Sequence, residues 1–165
     1  MIKRVYPSFL LLLALPLSTP LVAEEAMTVS LQRLTLESAG KVAHAAIDSC
    51  RKQGIQVGVT VVDRNGIPQV ALRDTIAAPI TLEISRMKAV TAANFNAATS
   101  ALAGRADTPV GRVAGLVMSA GGLPIQAGGQ LLGAVGVSGA PSGESDEACA
   151  QAGLERVQDD LEFAL

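Results

Sequence analysis

The chain has 165 residues, with 13 Lys and Arg against 15 Asp and Glu and a single His. It carries no basic patch, which disfavours nucleic acid as a partner, and only 2% of it is aromatic, which excludes an aromatic cage or a ring stack around a planar ligand.

The first residues read as a secretory signal peptide over 1–23. Lys3 and Arg4 make a positive start, Phe9 to Leu17 is an apolar run broken by Pro16, and Leu21-Val22-Ala23 offers a cleavage site ending in a small residue. The run is far shorter than the roughly 20 apolar residues of a spanning helix. The expected mature protein starts at Glu24, is moderately acidic, has no stable membrane span and works in the periplasm or outside the cell. About 140 residues then remain, the size of one domain with one core. Tyr6 and Phe9 leave with the signal, so Phe95 and Phe163 are the only mature aromatics.

Residues 24–33 read as a leader, and 34–165 as the domain. Thr35 is a good N-cap, with Glu37 in the first turn. Leu36, Ala39, Ala43, Ala46, Ile47 and Cys50 form one helical stripe, and Gly54 ends the helix. Val57 to Asp63 alternates as a strand. Asn65-Gly66 predicts a type I′ hairpin turn, with a return strand over Gln69–Arg73 and Pro68 at its start or edge. Pro79 opens a second helix that runs to Phe95 and places Ile80, Ile84, Met87 and Thr91 on or near one face. A short helix is expected over Ala97–Leu102, then a loop over 103–114.

The remainder is glycine-dense. Leu116–Ser119, Gly122–Gln126 and Leu131–Ser138 read as three strands, with Gly128-Gly129 turning between the last two. Glycines inside a strand mark a close approach by another backbone or a ligand, as at Gly133 and Gly136. Ser145 is expected to cap a last helix with Asp146 and Glu147 on its positive end, and Ala150, Gly153, Leu154, Val157, Leu161 and Ala164 as its buried stripe. Antiparallel hairpins with segregated helices define an α+β domain of about five strands, its first and last helices covering one face of the sheet.

Cys50 and Cys149 are an even pair, which in an oxidising compartment reads as a disulfide; two separate buried thiols are the alternative. A bond would close about 100 residues and contribute at most about 4–5 kcal/mol. His44 lies off the apolar stripe with Lys41 and Asp48 on its side. It is either a solvated imidazole paired with Asp48 or an axial ligand to haem iron; Met87 and Met118 are softer candidates with core roles as their alternative. Hydrolase and dinucleotide signatures fail. Gly136-Val137-Ser138-Gly139-Ala140 lacks the last glycine of the nucleophile elbow, and the spacing of Gly133, Gly136 and Gly139 is not that of a dinucleotide loop.

A candidate ligand site gathers residues at strand and helix ends: Gly121, Gly122 and Pro124, then Ser138 and Gly139, then Asp146 and Glu147, with Lys88 and Thr91 on the second helix. Lys88 could pair with Asp146 or Glu147, or meet a ligand carboxylate. The alternative is that these residues shape tight turns and one salt bridge.

The same segments resemble the GlcG/HbpS-like (DUF336) family. The likeness rests on Gly121-Gly122-Leu-Pro-Ile, on Gly133 to Gly139, on Asp146-Glu147-Ala-Cys-Ala with Gly153, and on Val59 to Gly66, Leu72 to Asp74, Ser85 to Ala93 and Phe95. It covers roughly Leu34 to Leu161, and the subgroup it most resembles has cysteines at positions like Cys50 and Cys149. The resemblance implies a profilin-like fold, homo-oligomers and, for some members, an extracellular haem-binding or haem-degrading role. The segment between Phe95 and Gly121 is shorter than usual in that family. The expected function is an exported protein binding a small ligand, haem or another tetrapyrrole. The alternative is an enzyme or accessory protein for a small organic acid, with Lys88 and Glu147 as its ionisable pair, or a structural subunit whose glycine face joins copies.

Overall fold

The structure is a computed structural model that describes Ile2 and residues 26–165. The signal-peptide reading of 1–23 and the expected cleavage before Glu24 lie outside the described residues, save Ile2. The segment up to Ser30 forms a unit separate from Leu31–Leu165; its residues 26–30 contain no helix or strand.

Four antiparallel strands make one sheet, in the order β2-β1-β4-β3. They are β1 (Gly58–Asp63), β2 (Pro68–Arg73), β3 (Gly122–Ala127) and β4 (Gln130–Ser138). Helix α1 (Leu36–Lys52) precedes β1, α2 (Ile80–Phe95) follows β2, and α3 (Gly143–Glu155) and α4 (Gln158–Ala164) end the chain. Side chains on a strand alternate between faces, and this sorts the packing into two layers. Val59, Val61, Leu123, Ile125, Val135 and Val137 face α1 and α3 in the main core. Val62 and Ala134 face α2, packing on Ala89, Ala92 and Ala93. The first and last helices thus share one face, as expected, and α2 covers the other.

Thr35 caps α1, its Oγ1 accepting from the Ser38 amide at 3.1 Å, and Gly54 leaves the helix at φ +74°. Leu36, expected in the buried stripe, is 61% exposed, and Val42 takes its place in the core. The Cys50–Cys149 disulfide forms, tying α1 to α3 across a sequence separation of 99.

Five further expectations are corrected. The fifth strand at Leu116–Ser119 is not formed; the Leu116 amide donates to Val113 O and the Val117 amide to Thr91 Oγ1, leaving no ladder to join. The first hairpin is not type I′. Asp63 Oδ1 accepts from the amides of both Asn65 and Ile67, and only Gly66 takes a positive φ, +80°, the three-residue loop with a glycine bulge. The second hairpin holds the type I′ geometry instead, with Gly128 at φ +54° and Gly129 at +72°. Ser142, not Ser145, caps α3, accepting from the Ser145 amide at 3.2 Å. The last helix also breaks at Arg156 and Val157, which leaves Ala164 exposed. The short helix after Phe95 is a 3-10 segment, Thr99–Arg105, with a second 3-10 turn at Val110–Arg112 inside the expected loop.

Candidate functional site

Lys88 and Asp146 converge, and Glu147 lies beside them. Lys88 projects from α2 past the end of β4, where its Nζ donates to Asp146 Oδ2 at 2.8 Å and to Val137 O at 3.1 Å. Asp146 Oδ1 accepts from the Ala140 amide at 2.9 Å. Both side chains of this ion pair are only 5% exposed. Burial pushes the Asp146 carboxyl above its ordinary range, against the opposite pull of Lys88 and the Ala140 amide.

Glu147, one residue on, faces another way around the helix. It accepts from the Gly121 amide at 3.1 Å and from Ser100 Oγ at 2.7 Å. Gly121 takes φ +122°, and a Cβ there would stand 2.6 Å from Lys88 Nζ. Its carbonyl accepts from the Val137 amide at 2.8 Å. Gly122 meets the helix rather than a ligand: a Cβ would stand 2.5 Å from Lys88 O, and Thr99 Oγ1 accepts from its amide at 2.8 Å.

The remaining expected residues are structural in this arrangement. Thr91 Oγ1 donates to Met87 O while accepting from Val117. Ser138 is buried opposite Gly58 at the end of β4. Pro124 is half-buried on the edge strand β3, and Gly139 is exposed at φ +128°. The cluster is therefore closed. Its polar atoms hold one another, and Lys88 does not face solvent as a ligand-binding cation would. Thr99 and Ser100 belong to it and were not expected, because a Thr or Ser in a polar-looking loop carries no signal of what it will reach.

An open concavity lies on the α1–α3 face of the sheet. A groove of about 830 Å³ runs between α1 and α3. The exposed His44 lines it, with Lys41, Lys52 and Arg156 as its cations, Asp48 and Glu155 among its acids, and Gly40, Ala45 and Ala152 as small apolar elements. The expected His44–Asp48 pair is not formed among the described residues; Asp48 pairs with Arg51 at 3.4 Å. The disulfide ties together the two helices that form the walls. Met118 is buried and Met87 half-buried on α2, on elements away from this groove.

The sheet order, the helical layers and the closed glycine-rich corner define a small α+β domain with an external groove between α1 and α3. Residues 34–155 match the model of the family described as haem degrading protein HbpS-like, and the chain belongs to that family. Among solved structures it is similar to a Streptomyces reticuli HbpS double mutant, at 40% identity and a TM-score of 0.75, covering 85% of this chain and 97% of that one. It is similar to the Klebsiella pneumoniae protein ORFY at 26% identity and a TM-score of 0.75, covering 81% and 97%. It is also similar to PduOC, solved as a heme complex, at 25% identity and a TM-score of 0.70, covering 75% and 94%. No curated protein sequence matches it. Among the described residues no helix is long and apolar enough to cross a membrane.

Proposed function

We propose that this protein is exported and binds haem, or another tetrapyrrole, as a homo-oligomer. The observation that carries the reading is membership of the HbpS-like family, joined by similarity to PduOC, whose solved form is a heme complex.

The residues of the α1–α3 groove fit such a ligand better than the Lys88 cluster does. Haem would bring an iron that an imidazole can hold and two propionate carboxylates. His44 presents an exposed imidazole that would hold the iron. Lys41, Lys52 and Arg156 would neutralise the carboxylates, and Gly40, Ala45 and Ala152 let a flat ligand approach the helix surfaces. The groove volume falls within the roughly 300–1,000 Å³ of small-molecule sites. Lys88 takes no part, because Asp146 already satisfies its charge. Export is supported by the composition of residues 1–23 and by a buried disulfide suited to an oxidising compartment.

Hemin titration of protein beginning at Glu24 tests the ligand. The expected result is a shifted Soret band that saturates near one haem per chain, lost or displaced in His44→Ala. No shift at stoichiometric protein sinks the haem reading. A shift that His44→Ala leaves untouched keeps haem and removes the groove. Fractionation of expressing cells tests export: the expected product is a chain starting at Glu24 outside the cytoplasm, and an unprocessed cytoplasmic chain refutes it.

A further inference from the structure

His44 is the only histidine in the chain. Haem iron takes its axial ligands from side chains such as His, Met, Cys and Tyr. Among the described residues, the lining of the α1–α3 groove holds His44 and no Met, Cys, Tyr or Phe. Both cysteines are bonded to each other. Met87 and Met118 lie away from the groove, and Met27 belongs to the separate segment before Leu31. The groove therefore offers iron one ligand, on one side.

The groove has walls and no roof. None of its lining residues is buried. The walls cannot close over a ligand either. Helices α1 and α3 run antiparallel, because Cys149 meets Cys50 while Gly153, one turn further along α3, meets Ala46 and Val42. A Cβ on Gly153 would stand 2.7 Å from Val42 O, so the two backbones are already in contact. The disulfide fixes one end of that contact at a Cα–Cα distance of 5.6 Å, and Arg51 anchors the same end of α1 to Asp74 at 2.7 Å. A flat ligand on this surface keeps one face in water, whereas ordinary small-molecule sites bury about 70–90% of their ligand.

Charge adds little hold. Lys41, Lys52 and Arg156 are matched in number by Glu37, Asp48 and Glu155. All six are exposed, where ion pairs contribute least. An enclosed distal pocket is what directs oxygen chemistry at haem iron; a surface with one face in water suits exchange instead.

We infer that this chain is a carrier that hands haem on: His44 holds the iron from one side, and the partner is an acceptor haem protein that supplies an axial ligand on the open face. The inference rests on the haem reading of the groove. Transfer is a ligand exchange with no change of oxidation state. The acceptor's donor atom places a lone pair in the open axial position, the bond from iron to the His44 imidazole breaks, and the imidazole leaves neutral with its own lone pair.

Hemin-loaded protein from Glu24 onward tests this through its absorption spectrum and its loss of haem. The expected ferric spectrum is high-spin, and added imidazole converts it to low-spin. Excess apomyoglobin is expected to take all the haem within minutes. His44→Ala, at an exposed position, should abolish the Soret shift, and Met27→Leu should leave spectrum and transfer unchanged. A low-spin spectrum without imidazole, or haem kept for hours against apomyoglobin, overturns the carrier while leaving haem binding intact. So does a Soret shift that survives in His44→Ala, or a Met27→Leu variant that alters either readout. No Soret shift on loading overturns the haem reading, and this inference with it.

Discussion

Gly136→Ala is the substitution that weighs most heavily on the fold. Gly136 sits in β4 directly beneath α2, between its partners Thr60 and Gly122. A methyl group there would collide with Ser85 O and stand 2.6 Å from the Ala89 amide nitrogen, both backbone atoms of a helix that cannot rotate aside as a side chain can. Ordinary contact begins at 3.4 Å, so α2 must lift by about 0.8 Å or more. That movement stretches the Thr60–Ser85 hydrogen bond, now 2.8 Å, and the Lys88–Asp146 pair, also 2.8 Å. Overpacking alone costs about 1–3 kcal/mol, and loosening a buried ion pair adds to it. We expect a loss of about 3–5 kcal/mol, read as a lowered urea midpoint at constant m-value with the disulfide kept oxidised. Gly40→Ala is the control of opposite sign. It lies within α1 with no atom near its Cβ position, and it should gain about 0.5–1 kcal/mol from helix propensity. A Gly136→Ala protein within about 1 kcal/mol of wild type would refute the claim that helix backbone fills the space above this glycine.

Lys88→Met leaves Asp146 buried without its charge partner, with only the Ala140 amide still bound, and should cost about 3–5 kcal/mol in the same unfolding assay. The Lys88→Met/Asp146→Leu double variant should recover most of that loss, and a double variant no better than the single would show that shape, not charge, governs the corner. Asp74 has the opposite linkage to Asp146. Arg51 holds the Asp74 carboxyl below its ordinary range through a 2.7 Å hydrogen bond. The stability this brings is present above the unfolded pKa and is lost as pH falls below about 4. Asp146, with its pKa raised, instead contributes stability that fades as pH rises from about 4. Asp74→Asn should therefore flatten the acid limb of a Tm-against-pH curve, and an acid limb identical to wild type would contradict the pairing. Reducing Cys50–Cys149 should lower stability by up to about 4–5 kcal/mol, and a Tm unchanged by reductant in unfolding-permissive conditions would count against the bond.

The strands of the sheet were legible because each announces itself locally. Alternating valines in Val57–Asp63, a Gly-Gly turn and an N-cap threonine are decided within a few residues. What failed was decided at a distance. The apolar segment at Leu116–Ser119 looks like a strand, yet Thr91 on α2 captures the Val117 amide. Asn65-Gly66 has the composition of a tight turn, yet the Asp63 carboxylate gathers two amides and opens it by one residue. Ser142 and Ser145 are both competent caps, and the position of the first turn chooses between them. Lys88 was open to either Asp146 or Glu147. Successive residues on a helix point about 100° apart, so only Asp146 could turn inward to it, and Glu147 was left for Gly121 and Ser100.

Glycines inside strands were correctly read as places of close approach, but they do not say what approaches. Gly58 lies under the Thr81 backbone, Gly136 under Ser85 and Ala89, and Gly122 under Lys88. One helix, α2, crosses all three. Small residues on both sides of that contact are what let it come so near, and they leave the bulk of α2 facing outward. The glycine row therefore serves the close approach of α2 to the sheet. The other face of the sheet is covered by α1 and α3, where His44 and its cations line the groove. A ligand held at His44, as proposed, would therefore lie on the layer of the sheet away from α2.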